Sequence, residues 1–200
     1  MNATSPQISI AAAFTCAVLI LGYVLLGPLP AFLFAFGFVG GFVLWLLIPS
    51  RARFQDIKLP YFLTLAAFVL HKIEERYWDF FPALSRITGK PMPEPNSFLA
   101  LLLYAFAGAW LLIPLLVERG HPLGYYLAWT FFTSMGVIEL AHFAFPFFTP
   151  EPYGYFPGMT TVVLLAPAGW WGMVRLRQRE DLRLRGERPQ GRASGGAGHR

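Results

Sequence analysis

The sequence predicts an all-α, polytopic membrane bundle of about six transmembrane helices, and three observations carry that expectation. Of 200 residues, 56% are apolar and 14% charged, against about 25% charged in a soluble domain. Apolar windows recur at 8–27, 31–49, 59–78, 98–117, 123–146 and 158–176, each near the roughly 20 residues a crossing helix needs. Lysine and arginine gather in alternate connections, which sets an orientation.

The first window follows Met1–Gln7, which has no basic residue, and it lacks a small-residue cleavage site, so it is expected as a retained span. Its Cys16 is the single cysteine; it forms no intramolecular disulfide and is expected as a small packing residue. Gly27-Pro28-Leu29-Pro30 marks a tight turn into the second span, where Gly37, Gly40 and Gly41 point to a close helix–helix approach. The third window is apolar without interruption only from Leu59 to Leu70, about 12 residues, too few to cross a core of about 30 Å. Pro95-Asn96-Ser97 offers a cap for the fourth span, and Pro157-Gly158 opens the sixth. Pro114, Pro146 and Pro167 fall inside or near the ends of spans, as kinks that neighbouring groups must satisfy.

Orientation follows from the basic residues. With six spans, the 50–58 loop (Arg51, Arg53, Lys58), the 118–121 loop and the arginine-rich chain after Trp171 share one side, so both termini are expected in the cytoplasm of a multi-pass cell-membrane protein. Omitting the third span would separate those basic segments. The third helix is therefore expected to cross by extending through Trp78, which carries His71, Glu74 and Glu75 below the outer interface. A transmembrane domain at 1–176 and a basic, disordered tail at 177–200 complete the organisation, the tail being suited to anionic lipid headgroups. No folded basic platform for nucleic acid, glycine-rich phosphate loop or Gly-x-Ser-x-Gly elbow is present.

Ionisable residues inside a membrane are costly and mark function by default. On the third helix His71, Glu74 and Glu75 stand at i, i+3 and i+4 and share a face, capped outward by Trp78; Lys72 and Arg76 lie about 100° away, free to snorkel. On the fifth, Glu139 and His142 share a face with Phe132, Met135 and Gly136, the glycine leaving room beneath the carboxylate. The carboxylates lie at similar depth, about 15–16 residues from the cytoplasmic starts of parallel helices. One shared site is expected.

His71-Lys72-Ile73-Glu74-Glu75 resembles the motif of the HXXEE family of small bacterial membrane proteins, and Glu139-x-x-His142 and Tyr155-x-Pro157-Gly158-x-x-Thr161 also look like that family's pattern. The family has no assigned activity, so the resemblance implies which residues to test and no reaction.

The leading expectation is an acid–base enzyme, isomerase-like, acting on an isoprenoid or other lipid. Its site chemistry, not its sequence, is similar to emopamil-binding-type sterol isomerases. The alternative is a divalent metal site for Zn²⁺, Mn²⁺ or Fe²⁺ on His71, Glu75, Glu139 and His142, or a proton-coupled carrier or structural protein using the same cluster. Trp78, Phe132, Met135, Gly136, Tyr155 and Thr161 are the candidate substrate contacts. The helix start at Gly158–Thr161 favours an anion or carboxylate, and the 79–96 loop is long enough to cover the site.

Overall fold

The computed structural model describes residues 3–48, 50, 52–91, 94 and 97–186, with backbone alone for 178–186, and every regular element among them is helical. Helices α1 (Ser5–Leu26) and α2 (Pro28–Leu47) form a hairpin about Gly27, whose φ of 93° only glycine adopts readily. Next come α3 (Phe54–Tyr77) and the short α4 (Phe80–Thr88). Helix α5 (Phe98–Gly108) passes through a 3-10 turn at Ala109–Leu112 into α6 (Ile113–Glu118), so Pro114 leaves one rod. Helix α7 (Pro122–Thr133) opens into a π-helical turn, Ser134–Ile138, then 3-10 turns at Glu139–Phe143 and Phe145–Phe148; α8 (Met159–Gly186) closes the chain.

Three rods, Ser5–Leu26, Pro28–Leu47 and Phe98–Glu118, are long and apolar enough to cross a membrane on their own. Helices α3 and α8 have the length but less apolarity, because α3 carries the His71–Arg76 cluster and α8 its threonines, tryptophans and Arg175. Helix α3 runs unbroken through Tyr77 instead of ending near Leu70. Ser97 does cap α5, accepting from the Ala100 amide at 3.3 Å, while Pro95 and Asn96 lie outside the described residues.

Small residues and paired polar groups hold the rods, as expected where lipid removes most of the hydrophobic drive between helices. At the α2–α7 crossing a Cβ on Gly41 would stand 2.6 Å from the Thr130 Cα, and one on Gly37 would meet Ile138 and Ser134. The Gly37 and Gly41 expectation therefore holds; Gly40 is looser, 3.6 Å from Thr133. Buried tryptophans find partners: Trp129 Nε1 donates to Ser50 Oγ at 2.9 Å, and Trp110 Nε1 to Thr130 Oγ1 at 3.3 Å. Helix α3 lies along α8, and their lower ends are tied by Arg175 Nε donating to the Asp56 carbonyl at 3.0 Å.

Two expectations change. Cys16 is exposed on the bundle surface and is no packing residue. Backbone helix continues past 177 to Gly186, since nothing in that stretch breaks α8; the rest of the expected tail, 187–200, lies outside the described residues.

Candidate functional site

The π-helical turn sets the register of the site. Trp170 on α8 donates its indole N–H to the Gly136 carbonyl at 2.6 Å. A side chain inserted into the helical ladder takes an acceptor that an amide four residues on would otherwise use. The widened turn and the 3-10 turn after it take Glu139 and His142 out of the regular α-helical register of Phe132 and Met135. Phe132 and Met135 sit in the apolar core, and Gly136 packs on Trp170 and Gly169. The expectation that Gly136 leaves room beneath the carboxylate is corrected: the space is filled by Trp170.

So turned, Glu139 and His142 meet α3. His71 Nε2 lies 3.2 Å from Glu75 Oε1 and 3.1 Å from Glu139 Oε2. His142 Nε2 lies 3.4 Å and 3.3 Å from the same two oxygens. Imidazole and carboxylate alternate around a ring, and one donor atom from each residue lies within 4.8 Å of all the others. The site is sealed: His71 is 0% exposed, His142 2%, Glu75 5% and Glu139 9%.

The outer nitrogens are engaged elsewhere. His142 Nδ1 is 2.5 Å from the Pro157 carbonyl oxygen, which only accepts, so Nδ1 carries a proton. His71 Nδ1 is 2.9 Å from Thr161 Oγ1, and that hydroxyl donates to Glu74 Oε2 at 2.5 Å, so His71 Nδ1 also donates. These partners assign the tautomers. In the neutral rings both Nε2 atoms then present lone pairs to the ring centre. His71 Nε2 is buried with no hydrogen bond of proper geometry, although two carboxylate oxygens are close.

Glu74 stands outside the ring. It accepts from the Thr160 and Thr161 amides at 3.0 Å and 2.8 Å and from Tyr155 Oη at 2.6 Å, so the carboxylate expected at the Gly158–Thr161 helix start is the chain's own. Free amides and the helix dipole at that terminus favour a negative charge. Partial burial, then the Glu74 carboxylate, push the Tyr155 phenol up to about 12, so it remains a donor. Gly158, at φ 98°, lets the chain pass both imidazoles: a Cβ there would lie 2.5 Å from His142 Nδ1 and 2.7 Å from His71 Cε1.

Two further contacts depart from the sequence reading. Lys72 does not simply snorkel; its Nζ donates to Glu75 Oε2 at 2.6 Å, because an i,i+3 ion pair in apolar surroundings outweighs access to headgroups. Within the 79–96 stretch, α4 brings Phe80 against His142, the rings tilted by 35° with centroids 5.0 Å apart. Phe80, Phe145 and Phe156 make an apolar cap. Trp78 is exposed and packs edge-on against Tyr155 at the rim. Of the candidate substrate contacts, Tyr155 and Thr161 border the ring through Glu74 and His71, whereas Phe132, Met135 and Gly136 lie within the packed core. Pro157 and Gly158 belong to the pattern and helix start that the sequence marks, but their roles as carbonyl partner and missing Cβ, like the indole of Trp170 across helices, leave no spacing signal.

A ring with sides of 3.1–3.4 Å has its centre about 2.0–2.4 Å from each corner, near the roughly 2.0–2.2 Å of metal–imidazole and metal–carboxylate bonds to zinc. The donor set of two nitrogens and two oxygens suits Zn²⁺, Mn²⁺ or Fe²⁺. Comparison with protein-family models, with curated proteins and with solved structures yielded no match.

Proposed function

We propose that this is a multi-pass membrane enzyme that binds one divalent metal ion, Zn²⁺, Mn²⁺ or Fe²⁺, on His71, Glu75, Glu139 and His142. The observation that carries the reading is the convergence of both Nε2 atoms and two carboxylate oxygens, with each Nδ1–H committed outward. Metal-ligating histidines characteristically donate their second N–H to a carbonyl or to a carboxylate-linked partner, which fixes the ring and raises its basicity. Pro157 and the Thr161–Glu74 pair have that chemistry. A metal ion there supplies Lewis acidity in a water-poor site, where charge stabilisation is strong. The HXXEE resemblance agrees, since His71 and Glu75 of the motif are ligands in this reading and Glu74 orients His71.

The isomerase-like acid–base reading uses the same side chains. It calls for a proton shared along an imidazole–carboxylate hydrogen bond, and the His71 Nε2 contacts lack that geometry, so the metal reading is preferred. Six crossings with both termini inside are part of the proposal, supported by the rods of α1, α2, α3, α5–α6 and α8, by the irregular helical run from Pro122 to Phe148, and by the basic residues Arg53, Lys58 and Arg119.

The test is elemental analysis of protein purified without added chelator. One metal per chain is expected, lost in His71→Ala and strongly reduced in Glu139→Gln while circular dichroism stays helical. Metal-free wild-type protein that remains folded and cannot be loaded by any of the three ions would defeat the reading.

A further inference from the structure

Helix α3 carries an open groove of about 500 Å³ lined by Phe68, Val69, Lys72, Ile73, Arg76 and Tyr77. Its composition is graded along the helix. Phe68 and Val69 are at the inner end, closed by the Phe68–Trp110 ring contact at 6.1 Å. Lys72 follows one turn on, with its ammonium 5.3 Å from the Phe68 ring, and Arg76 comes a further turn outward. Phe68, Lys72 and Arg76 are spaced i, i+4, i+8, so they form one stripe.

Both cations have capacity to spare. Lys72 uses one of its three N–H donors on Glu75, and its side chain is 45% exposed. Arg76 is exposed and has no carboxylate partner among the described residues. Two cations above an apolar floor, on a helix face left exposed beyond Phe68, complement one kind of molecule: an amphiphile with an anionic head and a hydrocarbon tail that points toward the bilayer midplane. A soluble anion would gain nothing from Phe68, Val69 and Ile73, and a zwitterionic lipid would bring its own cation against Lys72 and Arg76.

The groove also communicates with the ring. Lys72 bridges the two by its bond to Glu75.

We propose that this groove binds a membrane phospholipid with a net-anionic head, held by Lys72 and Arg76 with its tail along Phe68 and Val69, and that net-anionic phospholipids are the substrate class of the neighbouring centre. The second half rests on the metal reading; the binding site stands without it.

The test reconstitutes the full chain in nanodiscs of phosphatidylcholine containing a trace of phosphatidylglycerol with a photoreactive group in its tail. Cross-links are expected to concentrate on the peptide holding residues 68–77. They should fall about fivefold in Arg76→Gln and in Lys72→Gln, the weight of one basic group at a membrane surface, and be correspondingly weaker for a phosphatidylcholine probe with the same tails. Equal labelling by the two probes, or labelling spread over α1 and α2, would overturn the proposal. Metal content is read on the same samples, with Arg76→Gln expected to retain it. Selective labelling without metal would end the substrate assignment and the metal reading while leaving the lipid site intact; metal without selective labelling would end the lipid proposal alone.

Discussion

Thr161 Oγ1 stands between His71 Nδ1, at 2.9 Å, and Glu74 Oε2, at 2.5 Å, so one hydroxyl joins the α8 terminus to the ring. Thr161→Val keeps the shape and removes the link. Metal affinity is expected to fall about 10- to 100-fold, the usual weight of an outer partner of a ligating histidine, with little change in helicity. Thr161→Ser should restore most of it, as read by competition with a chromogenic chelator.

Gly158 is the second point of sensitivity. Gly158→Ala sets a methyl 2.5 Å from His142 Nδ1 on a backbone with φ 98°. Strain and overpacking of this kind cost about 1–3 kcal/mol each. The thermal midpoint in detergent should drop, and the metal should be lost well below it.

Trp170 acts at a distance. Trp170→Phe fills a similar volume but removes the N–H that holds the Gly136 carbonyl. The π-helical turn then has no external partner for that group, and a return toward α-helical register rotates Glu139 away from His71. Metal affinity is expected to fall at least about tenfold, although Trp170 is not one of the four ring residues. An unchanged chelator titration would show that the turn is held by packing alone.

The Tyr155–Glu74 bond should be insensitive to alkali. The neutral phenol is the bonded form and its titration is raised to about 12. Its contribution is therefore fully present below the free phenol's value, about 10, and is lost only as pH rises through about 12. The difference in phenolate absorbance between wild type and Tyr155→Phe should show its step there, not near 10.

Acid should release the metal. Each ligand must be deprotonated to bind, so protons compete with the ion and affinity rises with pH. Lowering pH in steps, with bound metal measured after gel filtration, should give progressive loss in wild type and earlier loss in Thr161→Val.

The limits of the sequence reading have physical causes. Helical period and matched depth were enough to bring His71, Glu75, Glu139 and His142 together, because a low-dielectric interior leaves lone charges few alternatives to one another. The lateral packing of Phe132, Met135 and Gly136 was misread because the period was taken as 3.6 through a stretch that widens at Ser134–Ile138. That widening depends on Trp170, more than thirty residues away and without a local signature. Glu74 looked equivalent to Glu75 on the helix wheel; it separates because α8 begins beside it and offers two free amides. Lys72 reads as a snorkelling residue about 100° off the site face, whereas Glu75 at i+3 pairs with it.

Formal charge gives the Lys72–Glu75 pair a further consequence. Two carboxylates and two neutral imidazoles sum to minus two, and Lys72 brings the enclosure to minus one. With a divalent ion the total becomes plus one, in surroundings that tolerate net charge poorly. A metal-loaded centre would therefore be one anion short of neutrality.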